Sequence, residues 1–421
     1  MAANMADTTV EKITTNEKST TAEEIEDTLQ KEKVSMLRQP KAVWATALAA
    51  VFAFMGIGLV DPILPAIAVN LQASPSQVSL LFTSYFLVTA VAMLVTGFVS
   101  SRIGGKKTLM IGLVLIVVFA SLSGMSGNVA TLVGFRAGWG LGNALFVATA
   151  LAVMVGVASG GTATAVILYE AALGLGLSLG PLLGALLGGW QWRAPFFGTA
   201  TLMAAALIAL MILLPKTPAP ARRTRLRDPL LALGHPGLRT TAARALFYNY
   251  GFFTVLAFTP FILGINAYGI GAVFFGWGAA VAVFSVFVAP VLQRRFGPVP
   301  TLLGSLGALL LVLVGLGLAA GHSVPAIVVL VIIGGALLGI NNTLFTELAM
   351  GVSDSPRPVA SAGYNFIRWM GGALAPFAAT QIAEHLGVQM PFYVAAFALL
   401  VGMGIVLAGR KYMVAHAPKG V

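Results

Sequence analysis

The chain has 421 residues, of which 58% are hydrophobic and only 9% charged, with a formal net charge of +11 and no cysteine. A soluble domain carries roughly a quarter charged residues because its surface meets water; this surface must meet lipid instead. The missing cysteines exclude disulfides and thiolate chemistry.

The first 40 residues stand apart. Eight of the fourteen acids lie before residue 33, among many Thr and Lys. They read as a solvated, disordered cytoplasmic tail with one short helix near Thr21–Lys33. The tail lacks the basic start and short apolar core of a cleaved signal. Met36, just before the basic run Arg38–Lys41, reads as an alternative start.

From residue 43 to residue 409 the chain is a series of apolar stretches. A membrane-spanning helix needs about 20 such residues. Twelve are expected, over 43–66, 77–99, 108–127, 129–155, 163–188, 195–215, 241–265, 270–292, 299–319, 324–348, 358–383 and 391–409. In lipid every backbone amide needs an internal partner, so spans are helices or a closed barrel. Barrel strands alternate apolar and polar residues; Leu109–Ala120 does not. The fold class is therefore an all-α membrane protein of twelve transmembrane helices.

Basic residues cluster on one side. Arg102, Lys106, Lys107, Lys216, Arg222, Arg223, Arg225, Arg227, Arg294, Arg295, Arg357, Arg410 and Lys411 fall in loops that share a face, against Arg193 on the other. The positive-inside rule then puts both termini in the cytoplasm. Spread over many short loops, these charges argue for the bilayer and against a nucleic-acid partner. The histidines His235, His322, His385 and His416 are far apart, and neither a metal-ligand spacing nor a P-loop occurs. No cofactor and no enzymatic reaction are expected, and with no nucleotide-binding domain any transport draws on an ion gradient or runs down the substrate's own gradient.

The two halves repeat each other. Arg102-Ile-Gly104 follows span 2 and Arg295-Phe-Gly297 follows span 8. Gly140-Leu-Gly-Asn143-Ala-Leu-Phe146 in span 4 parallels Gly339-Ile-Asn-Asn342-Thr-Leu-Phe345 in span 10. Tyr169-Glu170 precedes Gly180-Pro181 at the spacing by which Tyr364-Asn365 precedes Ala375-Pro376. The expected organisation is two pseudo-symmetric six-helix bundles, 41–215 and 241–410, joined by a basic linker, 216–240, with a C-terminal tail from 411 to 421. Such repeats suit alternating access around a site near the midplane.

The loop Gly97-Phe-Val-Ser-Ser101-Arg102-Ile-Gly104-Gly105-Lys106-Lys107, Arg136 in span 4, Gly176-Leu-Ser-Leu-Gly180-Pro181-Leu-Leu-Gly184 in span 5 and Trp190-Gln-Trp192-Arg193 before span 6 together resemble the major facilitator superfamily. Within it they are similar to the twelve-span drug:proton antiporters. The resemblance covers about residues 40–410. It implies a multidrug efflux protein of the bacterial inner membrane, working as a monomer on a small-molecule substrate and protons. It also implies gating roles for Gly97, Arg102, Gly104, Lys106, Gly180 and Pro181. The family motif has Asp where Ser101 stands and Arg where Gly105 stands, so the helix latch that this Asp forms is expected to be weaker here.

Charges inside spans cost at least about 2.5 kcal/mol each at a helix centre, so they persist where paired, hydrated or useful. Asp61 lies late in span 1, roughly 8 Å deep, and Arg136 roughly 10 Å deep in span 4. At matching depths they are expected to share one cavity, in which Asp61 carries the proton and Arg136 tunes it. Pairing as structural glue beside Pro62 is the alternative. Glu170, closer to the inner end, is an accessory acid, and Glu347 an interfacial or gating residue. Arg368 meets an anionic group or balances Glu170. Asn143, Asn341 and Asn342 serve packing or substrate. Phe54, Phe82, Tyr85, Trp139, Tyr169, Tyr248, Tyr364 and Trp369 are candidates for an aromatic lining, with Tyr85, Trp139, Asn143, Tyr169, Asn342, Tyr364 and Arg368 as substrate contacts. Pro181 lacks a backbone donor, so helix 5 is expected to bend there. The readings that compete with drug export are a dedicated exporter of one metabolite such as a sugar or amino acid, an importer, and a lipid flippase or membrane sensor.

Overall fold

The computed structural model describes residues 39–159, 161–215, 223–351 and 357–408. The expected N-terminal tail up to residue 38, its helix at Thr21–Lys33, Lys216, Arg222, Arg410, Lys411 and the tail from 411 lie outside these residues.

Among the described residues there are twelve long helices and no strand. In chain order they are α1 (Lys41–Asn70), α2 (Pro75–Ile103), α3 (Gly105–Gly124), α4 (Val129–Val157), α5 (Gly161–Trp190) and α6 (Ala194–Leu213). After the linker come α7 (Pro236–Ile262), α8 (Ala267–Phe296), α9 (Pro298–Ala319), α10 (Val324–Gly351), α11 (Arg357–Leu386) and α12 (Met390–Ala408). Eleven of these are long and apolar enough to cross a membrane. The exception is α11, which has length to spare at 30 residues. Asn365, Arg368, Gln381, Glu384 and His385 lower its apolar character, which suits a helix packed between α2 and α7.

Helix starts follow capping chemistry. Ser74 and Gln77 form a reciprocal capping box before α2, with Pro75 as first residue. Asn128 accepts from the amide of Thr131 at 2.9 Å and Asn266 from that of Gly269 at 2.9 Å. Each side chain satisfies one of the amides orphaned at a helix start. Within α1, Pro62 takes a donor out of the ladder, and Asp61–Ile63 forms a tight 3-10 turn before the helix resumes at Leu64.

The linker differs from expectation. Short helix Asp228–Ala232 lies inside it and packs on α11, and α7 begins at Pro236 rather than residue 241. His235-Pro236 starts the helix because Pro is well suited to a first helical turn.

Two matching positions of the sequence repeat share one backbone conformation. Gly104 has φ 85° and ψ 157°, and Gly297 has φ 84° and ψ 163°. These are matching positions of the repeated Arg-x-Gly, in a region open only to glycine. Pro181 and Pro376 both lie inside helices. The two halves meet mainly through α2 against α11 and α5 against α8. The α5–α8 contact is backbone-close: a Cβ on Gly174 would sit 2.6 Å from Ala282 Cβ, and one on Gly278 2.5 Å from Ser178 Cα.

Candidate functional site

Between the halves lies a cavity of about 1110 Å³. Its walls come from α1, α2, α4, α5, α7, α8, α10, α11 and the linker. It reaches the end of the bundle that carries the basic loops, where Ser100, Arg223, Asp228 and Ser361 line it. The opposite end is closed. Ser79 of α2 and Thr380 of α11 share a buried hydrogen bond of 3.0 Å. Below it Phe86 packs on Phe253 and Trp369, with ring centroids 4.2 and 5.2 Å away.

A polar relay crosses the middle of this mostly apolar chamber. Asn342 of α10 donates from Nδ2 to Oε2 of Glu170 on α5 at 3.4 Å. The Asn342 carbonyl accepts from Nη2 of Arg368 on α11 in a short hydrogen bond. An acid from one half and a base from the other are thus joined through one carboxamide. Tyr364 lies beside Arg368, and Asn249 of α7 holds the Arg368 carbonyl at 2.8 Å. On the far wall Tyr169 donates to the Val147 carbonyl at 3.2 Å and meets Phe54 edge-on at 5.5 Å. Of the expected contacts, Tyr169, Asn342, Tyr364 and Arg368 line the cavity, with Glu170, Phe54, Trp369 and Gly97. Sequence reasoning passed over Asn249, Phe252 and Phe253, which line it too. Asn249, a polar residue deep in an apolar span, was the available signal.

Asp61 and Arg136 form a second site, outside that lining. Both side chains are wholly buried. They lie within electrostatic reach of one another, yet no hydrogen bond joins them. Both Asp61 carboxylate oxygens, and Nε and Nη2 of Arg136, are buried without a hydrogen-bond partner among the described residues. The guanidinium sits between the rings of Tyr85 and Trp139, 4.5 Å from each centroid, and its Nη1 approaches the Gly56 carbonyl at 3.5 Å. A desolvated cation over aromatic faces gains about 2 kcal/mol or more. Tyr85 and Trp139, expected at the chamber wall, are instead drawn around Arg136 by this attraction. Asn143, also expected there, is buried in α4 with both amide atoms lacking partners among the described residues. The chamber lining thus holds Glu170 but neither Asp61 nor Arg136, which lie buried near one another outside it. Phe82 packs with Phe86, Tyr248 donates to the Leu338 carbonyl at 3.1 Å, and Asn341 accepts from Ser305 at 2.6 Å; these three lie outside the chamber lining.

Residues 46–376 match the Major Facilitator Superfamily. This chain belongs to that superfamily. It is 52% identical over 382 residues to the multidrug efflux protein YfmO of Bacillus subtilis, covering 91% of this chain and 96% of that protein. Its fold is similar to a bacterial homologue of the human lysosomal transporter Spinster in an inward-facing, unoccupied conformation, with a TM-score of 0.73 at 14% identity over 90% of this chain and 98% of that one. It is also similar to the human organic anion transporter MFSD10, with a TM-score of 0.70 at 17% identity over 87% of this chain and 99% of that one.

The superfamily's loop after the second helix takes a particular form here. Ser101 Oγ accepts from the Thr224 amide at 3.2 Å, and Arg102 Nη1 donates to the Thr224 carbonyl at 3.2 Å. Both backbone groups of one linker residue are thus held by adjacent residues of α2. The Arg102 guanidinium lies 3.3 Å over the Phe98 ring, and the methyl of Thr224 comes near Gly97. Ser101, standing where the family has Asp, thereby ties down the linker. Lys106 donates to the Met211 carbonyl at 3.0 Å and to that of Leu214, placing a cation at the C-terminus of α6 where the helix dipole favours it. Gly176, Gly180 and Gly184 form a row against α1: Cβ atoms there would fall 2.6 Å from the Val51 carbonyl oxygen, 2.5 Å from that of Met55, and closer still to that of Leu59. The ring of Pro181 packs against Gly58. Glu347, expected at a gate, lies on α10, and its side chain is outside the described residues.

Proposed function

We propose that this chain is a proton-coupled exporter of amphipathic drug-like compounds that works by alternating access. The observation that carries the reading is the chamber between two repeated halves, open at one end and sealed by Ser79, Thr380 and Phe86 at the other. The kinship with a multidrug efflux protein supplies the substrate class. The basic loops lie in the cytoplasm, so the open end faces inward and loads from the cytoplasm or inner leaflet. The setting is the bacterial inner membrane, with both termini inside and the monomer as the working unit.

Asp61 carries the proton in this reading. Its carboxylate is buried next to a cation that does not bond it, so protonation and the Arg136 charge compete for the same group. Glu170 is the accessory acid in the chamber, where a cationic substrate group displaces a proton. Gly97, Arg102, Gly104 and Lys106 keep α2, α3 and the linker in register as the halves rock. Gly180 and Pro181 let α5 lie close against α1.

Ethidium efflux from a pump-deficient bacterial host tests this. Wild type extrudes the dye; a protonophore, or Asp61→Asn at matched expression, abolishes extrusion. A well-expressed wild type that extrudes none of a panel of dyes would overturn the reading and point to export of one metabolite.

A further inference from the structure

We infer that the chamber's preferred cargo is an amphipathic zwitterion whose amine and carboxylate are separated by a short bridge. The inference rests on the chamber being the substrate site. Asn342 is a dipole with its donor end on Glu170 and its acceptor end on Arg368. A molecule with an ammonium and a carboxylate a few bonds apart presents the same polarity to the same two residues, with full charges. Charge-assisted hydrogen bonds are stronger than neutral ones, so such a molecule displaces the carboxamide.

Three further features fit this cargo. The Arg368 guanidinium reaches Asn342, lies beside Tyr364 and 5.6 Å from the Trp369 ring, and its Nε is buried without a hydrogen-bond partner among the described residues. A guanidinium carries five donors, so this one is under-used in a low-dielectric wall and calls for an anionic acceptor. Second, the acid and the base come from opposite halves, so a ligand that bridges them is held by both during the rocking motion. Third, Phe54, Tyr169, Phe252, Phe253 and Trp369 offer an aromatic surface for an apolar body. A lipophilic monocation engages Glu170 alone and gives Arg368 no anionic acceptor.

Calorimetric titration of the purified full chain decides the matter. The probes are 2-naphthylalanine, its methyl ester, which keeps only the cation, and its N-acetyl derivative, which keeps only the anion. The zwitterion is expected to bind about tenfold more tightly than either derivative, the size of one charge-assisted hydrogen bond. Arg368→Gln should erase the advantage over the ester, and Glu170→Gln the advantage over the N-acetyl compound. Equal binding of the zwitterion and the ester by wild type overturns the inference, as does a lack of binding by all three. Variants that lower Tm while keeping wild-type affinity ratios also overturn it, since the relay would then serve structure alone. Ethidium transport in proteoliposomes is measured in parallel. Its presence without zwitterion preference defeats the inference and keeps the exporter reading; its absence defeats that reading instead.

Discussion

Asp61 and Arg136 are fully buried, oppositely charged and within electrostatic reach, yet they share no hydrogen bond. Arg136 is held by the faces of Tyr85 and Trp139 instead. A carboxylate so placed is stabilised by the cation without being locked to it, which leaves it available to a proton.

Removing one member of a buried charge pair strands the other, at a cost of about 3–5 kcal/mol. Arg136→Gln is therefore expected to lower Tm markedly. Adding Asp61→Asn should restore part of the loss, with a coupling of about 0.5–3 kcal/mol. Thermal unfolding of the two single variants and the double variant completes this cycle. Strict additivity would mean that the two side chains do not interact.

A covalent lock follows from the seal of the closed end. Ser79 and Thr380 oxygens are 3.0 Å apart across the halves, within reach of a disulfide after substitution. The chain has no cysteine of its own. Ser79→Cys with Thr380→Cys should cross-link on oxidation, stop dye efflux, and recover it with a reductant. Full efflux by the cross-linked protein would show that this end need not open.

Close packing of α5 on α1 leaves no room for a methyl at Gly184, where a Cβ would collide with the Leu59 carbonyl. Gly184→Ala is expected to cost about 1–3 kcal/mol. Gly134→Ala, at a site with nothing within 4 Å of a new Cβ, is the control and should leave Tm unchanged or raised. Comparing the two Tm values in the same detergent isolates steric crowding from helix propensity.

Gly104 and Gly297 adopt φ near 85°, outside the range of other residues. Gly104→Ala and Gly297→Ala should each cost about 1–3 kcal/mol of strain. Gly307→Ala in α9, in open space, should gain up to about 1 kcal/mol from propensity. Equal Tm values for all three would show that these loops relax freely.

Much of the architecture was legible in the chain itself. Long apolar runs define spans because lipid offers the backbone no hydrogen bonds, and the helices agree with the expected spans to within several residues. The Arg-x-Gly repeat announced two turns that adopt the same conformation. The linker was less legible. A five-residue helix such as Asp228–Ala232 is stabilised by docking on α11 rather than by its own pattern.

The charged residues divide in the same way. That Asp61, Arg136, Glu170 and Arg368 matter is readable from the cost of a charge in a span. Depth along a helix is also readable, because the rise per residue is constant. Which way each side chain points, and which helix it meets, depends on how twelve helices pack. Depth alone put Asp61 and Arg136 at the same level; tertiary packing buried both and set Arg136 against two aromatic rings. Packing alone brought Glu170 to Asn342, 172 positions away in the chain, and Asn342 to Arg368. Sequence determined the spans and their helical nature because these depend on local backbone and solvent. Only the tertiary structure decided the relay and the burial of Asp61 near Arg136, because side chains from distant helices meet at distances that no local pattern encodes.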